Sequence, residues 1–191
     1  HTRGDVLGFD CGPGNALMDH WCQQHTGQAF DHNGAWAASG HVIDALLDAL
    51  LQEPFLQQAP PKSTGRDLFH PAWLAEHVKA FASAPAVDVQ ATLTEFTARV
   101  CVADVMRHAP DAKELIVCGG GALNGWLMQR LQAGLPRLQV VSSQDRGMPP
   151  LQVEATAFAW LARQTLKGQP GNLPKVTGAQ GARILGGIFP A

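Results

Sequence analysis

The chain has 191 residues, 46% of them hydrophobic and 16% charged, which excludes a disordered chain and suits one large domain or one lobe of a larger protein. A chain of this length buries about two-thirds of its unfolded surface, so a core can form without disulfide or metal staples. With 14 Lys and Arg against 16 Asp and Glu the formal charge is −2, and the sequence has no basic stripe, which argues against nucleic acid or an anionic membrane surface as a partner.

The sequence opens His1-Thr2-Arg3-Gly4-Asp5, with no initiator methionine. It runs at once into Val6-Leu7-Gly8-Phe9, an apolar stretch that reads as a strand. Domains usually begin with a few mobile residues. The start therefore fits processing or, more pointedly, the second half of a longer polypeptide. A turn at Asp10-Cys11-Gly12-Pro13-Gly14-Asn15 follows, with Asn15 as N-cap of a helix over Ala16 to Cys22. Ser39 is the expected cap of a helix carrying Val42, Ile43, Leu46, Leu47, Leu50 and Leu51 at helical spacing. Pro60 to Arg66 is a loop, and a short helix follows Pro71.

The clearest helix is expected to start at Asp88. Val89, Leu93, Phe96, Val100, Ala103 and Met106 recur every three or four residues, and Pro110 marks its end. Leu115-Ile116-Val117-Cys118 has no polar alternation and reads as a strand covered on both faces. Gly119-Gly120-Gly121 breaks it, a helix runs from about Leu123 to Ala133, and Leu138 to Val141 is the next strand. A strand–turn–helix–strand unit implies parallel strands. Leu151 to Leu166 reads as a long helix, and the Gly- and Pro-rich remainder from Gly168 as loosely structured. The longest apolar runs fall well short of the roughly 20 residues that span a bilayer, and no leader pattern is visible. The cysteines Cys11, Cys22, Cys101 and Cys118 form no CxxC pair and read as reduced thiols.

Two glycine turns carry the chemistry. Asp10 stands where a strand is expected to end, the side on which open α/β sheets bind ligands. Gly12 and Gly14 let backbone amides approach an anion, and the next helix adds its positive end. A carboxylate beside such a cradle suits a general base or a contact to a magnesium-bound water. The alternative is an Asp that closes a turn. The second turn, Gly119 to Gly121 with Asn124, has a nucleotide-site shape but lacks the GK[ST] of a Walker loop and the third glycine of the dinucleotide pattern. Here the alternative is a tight turn without a ligand. Lys62-Ser63-Thr64-Gly65-Arg66 offers cations and hydroxyls for phosphate or sugar oxygens, or is a solvated loop. The eight histidines form no metal-ligand spacing, and His20, His25, His70 and His77 read as surface residues. Cys11 reads as a small apolar spacer rather than a nucleophile. Glu154 opens the last long helix, where an acid favours the positive end.

Taken in order, these residues resemble the C-terminal half of the anhydro-N-acetylmuramic acid kinase family. The matches are Phe9-Asp10-x-Gly12-Pro13-Gly14-Asn15, Asp31-x-x-Gly34 with Ala37-x-Ser39-Gly40, Pro61 to Arg66, Asp88-Val89-x-Ala91-Thr92-Leu93 with Phe96-Thr97-Ala98, Cys118 to Ala122 with Asn124, Glu154 to Ala162, Gly171 to Pro174, and Thr177-Gly178-Ala179. The resemblance implies an α/β fold: the C-terminal lobe of a two-lobed, ribonuclease H-like sugar-kinase and actin architecture, with a mixed sheet and flanking helices. Residues 1–191 would form that single lobe, with the N-terminal lobe, its phosphate loop and its magnesium-binding acid absent.

The implied reaction is ATP-dependent. With Mg2+, water and 1,6-anhydro-N-acetylmuramic acid it yields N-acetylmuramic acid 6-phosphate and ADP in cytoplasmic cell-wall recycling. By position Asp10 would be the general base. Gly12, Pro13, Gly14 and Asn15 would form the second phosphate loop, and Gly119, Gly120, Gly121 and Asn124 would line the adenosine side. Lys62, Ser63, Arg66 and Glu154 would neighbour the sugar, and the resemblance suggests a homodimer. Cys11 stands where the family usually has Thr, and Asp67 where it usually has Glu. A lone lobe lacks half the cleft, so it is expected to be inactive by itself. The alternatives are a non-catalytic nucleotide-binding or structural lobe and a related kinase acting on another sugar.

Overall fold

A computed structural model of the chain describes residues 6–189; the opening His1 to Asp5 lies outside that range. The organising element is helix α5, Ala86–His108. Around it pack α1 (Ala16–Thr26), α2 (Ala35–Ala38), α3 (Asp44–Leu51) and, beyond the first strand, α6 (Gly125–Gly134). The predicted apolar positions Val89, Leu93, Phe96 and Val100 are buried, whereas Met106 is 53% exposed near the helix end. Neighbouring helices cover α5 on several sides, so its polar residues Gln90, Thr92, Thr94 and Glu95 are buried as well. Thr92 Oγ1 donates to the Asp88 carbonyl and accepts from the Ile43 amide (2.9 Å), which docks the start of α3 onto α5. Leu17, Leu46, Leu50 and Leu74 complete the core, the last from α4 (Pro71–Val78).

The helix termini differ from the expectations in instructive ways. Asn15 makes no side-chain cap, and α1 runs past Cys22 to a left-handed Gly27. Ser39 hydrogen-bonds back to the Trp36 carbonyl, and α3 begins only at Asp44. Asp88 lies inside the first turn of α5 and accepts from the His41 amide (2.8 Å), so the expected cap instead ties two segments together. His70 is half-buried and caps α4, its Nδ1 accepting from the Trp73 amide.

Strands β1 (Glu114–Val117) and β2 (Gln139–Ser142) pair in parallel, with Leu115 opposite Val140, as the strand–turn–helix–strand pattern predicts. The expected mixed sheet is corrected: among the described residues the sheet is this two-stranded parallel pair. Val6 to Phe9 does not extend it. Gly8 interrupts the run, Val6 and Leu7 are half-exposed, and the following amide, Asp10 N–H, donates to the Lys62 carbonyl. Nor is β1 covered on both faces: Val117 packs against the core while Ile116 is 48% exposed.

After a short turn comes α7 (Val153–Leu166), the predicted long helix, with no buried residue along its length. The stretch after Gly168 is mainly irregular, as expected, with one short helix α8 (Pro174–Thr177).

Candidate functional site

One stripe of α5 holds the segment Phe9 to Asn15 in place. Thr97 Oγ1 donates to the Gly14 carbonyl (3.0 Å). A side chain at Gly12 would meet Val100 at 2.8 Å, so only glycine lets this loop lie so close to the helix. Cys101, next to Val100 on the helix, faces the same space as Cys11, and the His108 ring meets Phe9 edge-on. Positions 97, 100, 101, 104 and 108 share one helix face.

The loop forms one wall of a cavity of about 460 Å3. The opposite wall is β1 with the turn Gly119 to Gly121, and the Leu127 and Leu131 side chains of α6 close part of it. The two glycine turns meet at Asn15, whose side-chain amide lies beside Gly120 and Gly121, close enough that an added Cβ there would approach it within 3.2–3.3 Å. Gly14 (φ 56°) and Gly119 (φ 72°) both adopt left-handed backbone, with open space where a side chain would stand. Backbone peptide groups can therefore approach a ligand closely from both walls.

Asp10 stands beside this cavity and not among its lining residues. Its Oδ2 accepts from Ser63 Oγ (2.6 Å) and from the Thr64 amide (3.0 Å). Oδ1 carries no hydrogen bond among the described residues. Two donors thus fix an exposed carboxylate while leaving one oxygen available.

The remaining expected ligands separate. Lys62 is corrected as a sugar contact, because its ammonium points into the protein. Nζ donates to the carbonyls of Phe55 and Leu56, pairs with Asp104 at 3.6 Å, and lies over the rings of Phe9 and Phe55. A buried ammonium needs these partners, and they leave it none to offer outward. Asn124 is the N-cap of α6, its side chain accepting from the Leu127 amide, tucked against Gly34 and outside the residues that line the main cavity. Arg66 lines a different cavity, of about 360 Å3, with Asp19, His20 and Phe69. Burial pushes the Asp19 carboxyl above the usual carboxylate range. Glu154 is exposed in the first turn of α7 and does not reach the main cavity.

Sequence reading missed the contribution of α5 to this site, through Thr97, Val100 and Cys101. Their spacing was legible as a helix face, but nothing local tells which faces of a buried helix meet a loop and which meet other helices. Among the described residues no group of three or more His, Cys, Asp or Glu is placed to hold a metal. No helix among them is long and apolar enough to cross a membrane.

Two glycine turns, one of them between a parallel strand and its crossover helix, line one cavity of an α/β protein. The sequence profile of the anhydro-N-acetylmuramic acid kinase family matches residues 2–191, and the chain belongs to that family. It is 63% identical to the anhydro-N-acetylmuramic acid kinase of Variovorax paradoxus over 97% of its own length, covering 50% of that relative. It is 65% identical to the kinase of the same name from Albidiferax ferrireducens, over 98% of the chain and 48% of the relative. For the Ralstonia nicotianae relative the identity is 55% over 100% of the chain and 50% of the relative. The chain thus spans about half the length of the curated relatives it matches. That overlap fixes the family and the extent; the expectation that the chain is the second lobe goes beyond it.

Proposed function

We propose that the chain is one lobe of a sugar kinase that uses ATP and water to convert 1,6-anhydro-N-acetylmuramic acid to N-acetylmuramic acid 6-phosphate. The observation that carries this reading is the convergence of the two glycine turns on one cavity, with a carboxylate fixed beside it by Ser63 and Thr64. The family membership supplies the substrate class.

In this reading the Gly12–Asn15 loop and the Gly119–Gly121 turn cradle the nucleotide. Their fit rests on the open, left-handed Gly14 and Gly119, which let backbone groups come within hydrogen-bond distance of phosphate oxygens. ATP supplies the phosphoryl group when bound. Asp10 takes a proton from the water that attacks the anomeric carbon. The Ser63 hydroxyl and the Thr64 amide aim its carboxylate. Ser63 is a positioning residue, while Lys62 acts only by holding the loop from inside. On the family resemblance, magnesium would come with the nucleotide and be held by an acid of the other half of the protein. Arg66 and Glu154 become neighbours of the sugar once the other lobe closes the cleft. On the family resemblance, the intact protein would work in the cytoplasm as a homodimer.

A single lobe leaves the phosphoryl group wet and clamped from one side, which weakens every electrostatic contact to the developing charge. The isolated chain should therefore release no sugar-dependent ADP, and pairing it with the complementary half should restore turnover. In the intact protein Asp10→Asn should lower kcat about 10²–10⁴-fold, the usual worth of a general base. ATP affinity should change little. Normal turnover by the Asp10→Asn enzyme would remove Asp10 from the mechanism.

A further inference from the structure

The main cavity holds a feature that the kinase reading does not use. Three of the four cysteines line it: Cys11 from the loop, Cys101 from α5 and Cys118 from the end of β1. Cys118 is exposed, while Cys11 and Cys101 are half-buried and free. Cys11 and Cys101 flank the seam where Gly12 packs against Val100, and each thiol shifts the other's titration more than any other group does.

We propose that Cys11 and Cys101 form an oxidisable dithiol in the cavity wall, closed to an intrachain disulfide by hydroperoxides and reopened by thiols. In the first step the Cys11 sulfur attacks one peroxide oxygen. An S–O bond forms, the O–O bond breaks, and the thiol proton leaves with the departing oxygen as an alcohol or water. In the second step the Cys101 sulfur attacks the Cys11 sulfenic sulfur. The S–S bond forms, and hydroxide leaves with the Cys101 proton as water. The two thiols lose two electrons in total, and the peroxide gains them.

Two features favour this pair over the more exposed Cys118. First, Cys101 follows Val100 on the helix face against which Gly12 packs, so a sulfenic acid at Cys11 has a resolving thiol on the adjoining residue of the same seam. Second, the surroundings favour a thiolate at Cys11. The hydrogen bond to Cys101 brings its pKa down to about 7, with help from a backbone hydrogen bond and the Lys62 ammonium and against burial and the Asp104 carboxylate. The same contact pushes Cys101 up. Asp104 in turn is faced by Lys62, Arg107 and His108, which temper its opposition. Closing the bond brings the two sulfurs to about 2.05 Å of each other. The irregular loop must supply that movement, since Cys101 is fixed on the buried helix. This thiol chemistry is independent of whether the cavity takes ATP.

The test is limiting hydrogen peroxide on the reduced protein, followed by alkylation and chymotryptic mapping, since cleavage after Trp21 separates Cys11 from Cys22. We expect loss of two hydrogens, a peptide linking Cys11 to Cys101, full alkylation of Cys22 and Cys118, and reversal by dithiothreitol. Cys101→Ser should abolish the link and leave a sulfenic acid at Cys11 that dimedone captures. Oxidation of Cys118 first, with Cys11 and Cys101 still alkylated, would overturn the proposal. So would a link between two chains, or sulfinic acid at Cys11 with Cys101 intact. These readouts on the unmodified sequence hold even if the Ser variant does not fold.

Discussion

Helices α5 and α7 carry similar proportions of apolar residues, yet they occupy opposite environments. Phe96 and Leu93 on α5 are fully buried, whereas Phe158 and Trp160 on α7 are 64% and 49% exposed. Helix propensity and spacing do not separate them. What separates them is the presence of neighbours: α1, α2, α3 and α6 pack around α5, whereas α7 has no buried residue. Further exposed apolar side chains, Leu151, Leu166, Leu173, Ile184 and Ile188, lie on or near α7 in sequence. Apolar exposure on that scale marks surface meant for a partner. Under the proposed function the complementary half of the protein would be that partner.

The contrast is tested most severely at α5. Phe96→Ala should destabilise the protein by about 3–5 kcal/mol, the usual cost of a large cavity in a closed core, read from urea unfolding. Next comes Lys62→Met. If Lys62 is an internal ion-pair partner, its loss leaves Asp104 buried beside only the partly exposed Arg107 and His108, and stability should fall by about 3 kcal/mol. A sugar ligand would instead raise KM at unchanged stability.

A smaller effect is expected at Glu95, which joins α5 to α6. It accepts from Arg99 Nε at 2.8 Å and Arg130 Nε at 2.7 Å, and both arginines reach solvent. Glu95→Gln should therefore cost only about 1–2 kcal/mol, a charged hydrogen bond discounted for screening. Burial raises the Glu95 pKa, but the hydrogen bonds from Arg130 and Arg99 outweigh it and hold the carboxyl below the usual range. A depressed folded-state pKa stabilises the protein above the unfolded value. That contribution should fade as pH falls from about 4.5 through the folded pKa, and the slope should be absent in the Gln variant.

The smallest effect belongs to α7. Phe158→Ala should change the stability of this chain by about 0.5 kcal/mol or less. In the intact protein the same substitution should cost severalfold more if the other half covers α7. Equal, small costs in both would mean that α7 faces water throughout.

Features that depend on near neighbours along the chain could be read from the residues alone. The periodicity of α5, the glycine breaks at Gly12–Gly14 and Gly119–Gly121, and the parallel pairing across a short crossover all follow from spacings of a few residues. The two glycine turns were legible as one kind of site because glycine there answers a backbone need that no other residue meets. The rest was settled by packing. Nothing near Lys62 in sequence shows that Asp104 waits for its charge, or that Ser63 Oγ reaches an acid 53 positions away. The same holds for Cys11, which meets the Cys101 stretch of α5 across one cavity. A side chain's role depends on which groups desolvate it and complete its hydrogen bonds, and those groups come together only when distant segments pack. The contrast between α5 and α7 has the same origin, since burial is set by the elements that pack against a helix and not by the helix alone.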